Sequence, residues 1–345
     1  MKRIFAAIVF FAGTLTGAMC PIGVPVVTVP PQQVAGFVWG KVIQPMGDPC
    51  VGKIAVDPAN DLKWYVGGVN GLYMTNDGGQ TWTHPLGGDV NALLLVPGNP
   101  TLVYVGTGTQ LYLTRDQGAH WTNIGNYPRP ISSIHVVGYT VFVGLGWGAM
   151  MPSGVYTSNL GGGFSTFHPF GPGQTGLIVW TITHDPITGN IYAGTEIAAH
   201  PQPYHPPFFR STDGGITWTN VAGTLPWHVI AAAVHPANGY IYAMTEGLGV
   251  YGSATAGASW LPPPGSSMGL AGSMLSDPNQ PSRLYAGRQV YSIYDGGAFR
   301  SVNGGQSFQY IGLAGVPVGG LAVNGNSKKL YAAAYASGVY VASVP

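Results

Sequence analysis

Charge is what this sequence lacks most. Acidic and basic residues make up 7% of its 345 positions, against roughly 25% in an ordinary soluble domain. The formal net charge is +1. That excludes the basic footprint of a nucleic-acid binder and offers no field to an anionic surface. Cysteine is nearly absent. With only Cys20 and Cys50 the chain has no disulfide scaffold and no cysteine pair at metal-binding spacing. Beyond the N-terminus there is no run of about 20 apolar residues able to span a bilayer. Low charge does not mean disorder here, because 46% of the residues are hydrophobic and 12% aromatic. The 54 glycines and 29 prolines call for frequent turns. Together these describe a neutral, β-rich domain.

The first residues, "MKRIFAAIVFFAGTLTGAMC", set Lys2 and Arg3 before an apolar run from Ile4 to Ala12 and then small residues. That is the layout of a bacterial-type secretory signal, read here as residues 1–19. It places the mature chain outside the cytoplasm, secreted, periplasmic or on the cell surface. Cys20 is then either the lipid-carrying first residue of a lipoprotein or a disulfide partner for Cys50. Residues 20–34, with "PIGVPVVTVPPQQ", read as an extended Pro-rich lead-in. The remainder, 35–345, reads as one domain.

That domain repeats. "TNDGGQTW" at 75–82 and "STDGGITW" at 211–218 share one pattern, Ser/Thr-x-Asp-x-Gly-x-Ser/Thr-Trp, and "TRDQGAHW" at 114–121 keeps it with His120 in place of the second hydroxyl. "TSNLGGGF" at 157–164, "SATAGASW" at 253–260 and "SVNGGQSF" at 301–308 are weaker copies. The six are spaced 39 to 54 residues apart, and three short alternating segments precede each, such as "KIAVDP", "KWYVGG" and "GLYMT". Short strands with regular turns at this period predict an all-β, seven-bladed β-propeller of four-stranded antiparallel blades. A seventh unit ends after three strands, "VGGLAVN", "KLYAAAY" and "GVYVAS". Its missing half is expected at the other end of the domain, where "GFVWGKVI" keeps the Gly-x-x-Trp spacing at Gly36 and Trp39. An N-terminal strand within residues 36–46 is therefore expected to close the last blade.

The motif resembles the Asp-box, or BNR repeat, of the sialidase-like, sortilin-like and photosystem II assembly-factor-like propellers. The resemblance runs over residues 35–345. It implies that the motif forms the hairpin between third and fourth strands, on the side away from the ligand face. The structural set is then Asp77 with Trp82, Asp116 with Trp121, Asp213 with Trp218, Trp260, and Asn303 with Phe308. The residues agree, since a short acid accepts turn N–H groups and glycine supplies positive φ. Thr255, Asn159 and Asn303 replace the acid without disturbing the repeat. A catalytic acid is not needed six times in graded quality. Calcium needs six or more oxygens, and these acids are solitary.

Function is therefore expected on the opposite face. Three loops there are enlarged, 144–154, 194–208 and 287–298, and long loops on a rigid frame usually carry function. With the links between blades they bring together Trp147, Met150, Glu196, His200, Tyr204, His205, Trp227, His228, Arg288, Tyr291, Tyr294 and Asp295. The ligand-binding candidates are Trp147, Tyr204, His205, Trp227, His228, Arg288, Tyr291 and Tyr294. Glu196 and Asp295 are the candidate catalytic carboxylates, with Asp89 a spare.

Three functions are weighed. A sialidase uses three arginines, a Tyr-Glu pair and an Arg-Ile-Pro signature. Here no Arg-Ile-Pro occurs, and a triad must be drawn from Arg129, Arg288 and Arg283 or Arg210. A xyloglucanase-type hydrolase needs two carboxyls roughly 5 to 9.5 Å apart. "YDGGAFRS" at 294–301 resembles part of such enzymes, but they use two propellers around a cleft and this chain has one. The expected function is non-catalytic: an assembly or interaction module that binds a glycan or a protein. Glycoside hydrolysis of sialidase-like or xyloglucanase-like type is the alternative. No cofactor is expected. No metal site is expected either: Glu196, His200 and His205 stand in a Pro-rich loop whose spacing fixes no common face.

Overall fold

The computed structural model describes residues 33–42, 48, 50–148, 151–163, 165–197, 207–225, 228–245, 249–262, 271–288, 296–335 and 337–345. These form seven antiparallel sheets arranged as a ring of blades, without helices. The innermost strands, from blade 1 to blade 7, are Val51–Asp57, Val90–Leu95, Ile131–Val137, Leu177–His184, Val229–Val234, Ala271–Ser276 and Val318–Val323. Each packs against the next, and the seventh meets the first. At that seam Lys329 Nζ reaches the Asp61 carboxylate at 2.7 Å, and the Tyr331 hydroxyl donates to the Asp61 carbonyl at 3.1 Å.

Blade 7 is completed from the N-terminal side, as the split repeat predicts. Phe37–Lys41 pairs with Gly338–Ser343, with Trp39 opposite Ala342. Two details go beyond the sequence reading. Gln33–Val34, taken there as lead-in, folds back on Phe37 and Val38 through Ala35 and Gly36, both at positive φ, and gives this blade a fifth strand. Among the described residues blade 5 has three strands, with a single bridge between Gly252 and Leu261 at the place of a fourth. Pro262, Pro263 and Pro264 follow, and proline has no N–H to extend a ladder.

Two repeated contacts hold neighbouring blades together. The second strand of every blade carries a ring at the same position: Tyr65, Tyr104, Phe142, Tyr192, Tyr242, Tyr285 and Tyr331. All seven are at most 3% exposed. Tyr65, Tyr104, Phe142 and Tyr242 pack against the next blade's hairpin. Tyr65 donates to the Gln117 carbonyl at 2.9 Å and Tyr104 to that of Leu160 at 2.7 Å. Phe142 has no hydroxyl and instead lies beneath Gly215. A Cβ there would come within 2.5 Å of the ring, and the φ of +91° also favours glycine.

The second contact is a glycine two residues after that ring, facing a branched residue at or near the start of the next innermost strand. A Cβ on Gly67, Gly106, Gly144, Gly194 or Gly287 would fall 2.4 to 2.8 Å from Val90, Ile131, Val179, Val229 or Val318. Missing side chains on one sheet thus make room for branched ones on its neighbour, which is how the ring tightens toward its axis.

Candidate functional site

In each blade the start of the innermost strand pairs with the end of the second strand, for example Val51 with Gly68 and Leu177 with Ile197. The links between blades and the second-to-third loops therefore share one face. The Asp-box hairpins, between third and fourth strands, lie on the other. Every innermost strand also bulges near its start, at the second residue in six blades and the fourth in blade 4, where register shifts. The bulged residues are Gly52, Asn91, Ser132, Trp180, Ile230, Gly272 and Gly319. They ring the channel mouth on the loop face, and Trp180 is the largest.

Glu196, proposed from sequence, ends the second strand of blade 4 opposite Ile178. Trp180 donates its indole N–H to Glu196 Oε2 at 2.5 Å. His228, just before the innermost strand of blade 5, brings Nδ1 within 3.7 Å of Glu196 Oε1. The two side chains are 14% and 18% exposed, so the carboxylate is held from two sides and reaches solvent narrowly. Glu196 and His228 are thus brought together. Trp180 was missed, because a bulge that turns an innermost-strand residue toward the rim leaves no mark in the hydrophobic pattern.

Trp147 is half-buried in its loop, and Arg288 ends the second strand of blade 6. Met150, His200, Tyr204, His205, Trp227, Tyr291, Tyr294 and Asp295 lie outside the described residues. So do the second carboxyl of the hydrolase pair and two of the three members of the Glu-His-His string. Cys50 is 1% exposed and disulfide-bonded. Cys20 is outside the described residues.

Three of the arginines weighed for a carboxylate-binding triad are engaged elsewhere. Arg129 is 4% exposed, donates to the Leu177 carbonyl at 3.3 Å and fills the space beside Gly148; burial lowers its pKa. Arg210 donates to Ala256 at 3.1 Å, between blades 4 and 5. Arg283 faces Asp277 at 3.6 Å, and Arg300 lies over the Phe37 ring. Among the described residues no group of three or more His, Cys, Asp or Glu side chains is arranged to hold a metal ion.

The Asp-boxes are closed circuits of hydrogen bonds. Asp213 accepts from the Ser211 hydroxyl (2.8 Å), the Ile216 and Thr217 N–H groups (3.1 and 2.9 Å) and the Thr217 hydroxyl (2.5 Å). Asp77 repeats the pattern. These bonds, the threonine hydroxyl first, pull both carboxyls down to about 2. In Asp116 the His120 N–H and ring take that role and lower the pKa further. In the degenerate copies, Asn303 bonds Ser301 and Ser307, and Thr255 bonds Ser259. A depression of 280 Å³ between blades 2 and 3 lies on this face. Its charged groups are already engaged, Asp116 with His120 at 2.6 Å and Arg115 with the Leu160 carbonyl at 3.3 Å. His235, too, is a turn residue, accepting from the Ala237 N–H at 3.2 Å.

One titratable pair stands apart. His135 and His184, on the innermost strands of blades 3 and 4, share a hydrogen bond between Nε2 and Nδ1 at 2.8 Å, so one ring donates and the other accepts. Burial first, then the neighbouring imidazole, lowers His135 to about 3. Burial also lowers His184, against the opposing pull of Asp185. The unfolded histidines titrate near 6.5, so between that pH and about 3 the unfolded chain binds more protons and stability falls as pH falls. The Asp77 and Asp213 contribution is complete above about pH 4 and is lost toward pH 2. We expect urea midpoints to decline from pH 6.5 downward. A His135→Gln/His184→Gln variant should flatten the upper part of the decline and leave the part below about pH 3 unchanged. A wild-type midpoint constant from pH 6.5 to 4.5 would refute this.

The BNR/Asp-box repeat model matches residues 209–220, the blade 4 copy. No curated protein matches the chain in sequence. Among solved structures, a GH74 xyloglucanase from Xanthomonas campestris is similar with TM-score 0.67 and 18% identity, covering 88% of this chain and 53% of that one. YCF48 bound to D1 peptide is similar with TM-score 0.61 and 15% identity, covering 93% and 99%. The extracellular domain of a hybrid two-component system of B. thetaiotaomicron follows with TM-score 0.66 and 13% identity, covering 88% and 39%. The chain thus spans about half the length of the xyloglucanase. At these identities the likenesses show the fold: a seven-bladed propeller carrying Asp-box hairpins.

Proposed function

We propose that this propeller is a non-catalytic binding module that works outside the cytoplasm and takes a glycan, or a protein segment, on the face opposite its Asp-boxes. The carrying observation is the Trp180–Glu196–His228 group. It offers an aromatic ring, an oriented acceptor and an imidazole nitrogen side by side, a combination suited to hydroxyl groups around an apolar ring. Glu196 has one oxygen occupied by the indole and the other turned to His228, the posture of a positioned acceptor. The signal-like N-terminus supports the location, and the peptide-bound YCF48 structure shows that a propeller of this fold can hold a peptide.

Glycan is the favoured ligand, and arrays decide. Wild-type protein is expected to be retained on a set of neutral glycans. Trp180→Ala and Glu196→Gln should each weaken retention at least tenfold, with unchanged product profiles on a polysaccharide panel. Retention only on peptides would replace glycan by protein. Release of sugar by wild type, lost in Glu196→Gln, would replace binding by hydrolysis.

A further inference from the structure

Internal repetition gives this molecule its own reference. On each innermost strand one residue stands opposite the buried ring of the second strand. In six blades it is Ala55, Leu94, Thr183, Ala233, Leu275 or Ala322, and in blade 3 it is His135. The residue after it is Val56, Leu95, Val136, Val234, Ser276 or Val323, and in blade 4 it is His184. At these positions the other seams between blades close without histidine, so packing alone does not call for one.

His135 and His184 meet across the seam of blades 3 and 4, with Nε2 and Nδ1 2.8 Å apart. Both residues are partly exposed, and both stand in the Asp-box half of their innermost strands. The far nitrogens, His135 Nδ1 and His184 Nε2, make no hydrogen bond among the described residues. Burial keeps both rings neutral at neutral pH, the form in which imidazole binds a metal.

Geometry decides which metal. Two nitrogens at right angles around an ion about 2.0 Å away lie about 2.8 Å apart, whereas tetrahedral placement separates them by about 3.3 Å. The observed 2.8 Å fits adjacent corners of the tetragonal arrangement that Cu(II) prefers. Two protein ligands also fall short of a structural zinc site. The ring centres are 5.0 Å apart with planes at 49°, so the rings stand nearly end to end, and a tilt of each aims both lone pairs at one ion. The shared proton moves to the far nitrogen of the ring that donates it, which frees both near nitrogens without loss of a proton. Asp185, next in the chain to His184, is fixed by the Ile187 N–H and the Thr188 hydroxyl. Its carboxylate adds negative charge beside the pair without taking a coordination position.

We infer that the His135–His184 pair is a binding site for Cu(II), with water completing the coordination. It lies away from the proposed glycan face and does not depend on that reading.

Electron paramagnetic resonance of the full chain with one equivalent of Cu(II), in glycine to mask weaker sites, tests it. A tetragonal spectrum coupled to two imidazoles is expected, and Cu(II) should raise the melting temperature. His135→Gln and His184→Gln should each weaken Cu(II) binding at least tenfold. His200 and His205 are the competing imidazoles, so a His200→Gln/His205→Gln variant is the control and should leave the spectrum unchanged. Absence of imidazole coupling in wild type overturns the site, and so does two-imidazole coupling that persists in His184→Gln. Paramagnetic broadening in wild-type NMR needs no variant to fold. It should centre on His135 and His184, and broadening centred elsewhere overturns the site as well.

Discussion

Replacing Trp39 by alanine is expected to cost about 3–5 kcal/mol, the range for truncating a large aromatic side chain in a core. Trp39 is 2% exposed and belongs to the cluster between blades 6 and 7 with Phe37, Ile311, Leu313 and Tyr340. Its indole donates to the Ile311 carbonyl at 2.7 Å. Gly312 keeps space for it, since a Cβ there would sit 2.7 Å from Trp39 Cδ1. Trp260 of blade 5 makes the matching bond to Val221 at 2.9 Å and is a useful control. Local losses in Trp39→Ala and Trp260→Ala should be alike. Only Trp39→Ala loosens the strand that closes the ring, so it should also raise aggregation on heating, because an opened blade exposes an unpaired edge. Denaturant midpoints and light scattering on both variants are the measurements. A Trp39→Ala protein as stable as wild type would refute the closure role.

The second large effect is expected at Gly106. Its backbone is ordinary strand, so conformational strain plays no part and the cost is steric. An added Cβ meets Ile131 at 2.7 Å and Ala92 at 3.3 Å. Gly106→Ala should destabilise by about 1–3 kcal/mol, as overpacking of a filled core does. Ile131 is 0% exposed, and Ile131→Ala alone should cost about 2–5 kcal/mol. In the double variant the new methyl enters the space the isoleucine leaves, so the combined loss should be smaller than the sum by at least about 1 kcal/mol. Strict additivity in the double-mutant cycle would show that this glycine is not shaped by the next blade.

Much of the fold is legible in the chain because each blade advertises itself locally. Asp77 and Asp213 bond their own turn within four residues, so the motif keeps its spelling wherever it falls. Trp39 betrays the displaced strand because its partner surface is the same as that of Trp260. What escapes is set by tertiary register. Trp180 reads as an ordinary innermost-strand residue until the bulge places it over Glu196. The short Gln33–Val34 strand was masked by the prolines before it.

The split blade also has a cost in time. Trp39 and the carbonyl it bonds lie 272 residues apart. At synthesis rates of roughly 5–20 residues per second, the closing strand exists for about 15–55 s before its partner is made. During that interval Phe37 and Trp39 have no blade to enter. Ring closure is the contact of highest sequence separation in the molecule's β ladders, and non-local pairing is the slow part of folding. A chain with so few charges to keep it apart from its neighbours passes its most vulnerable moment before its last blade is complete.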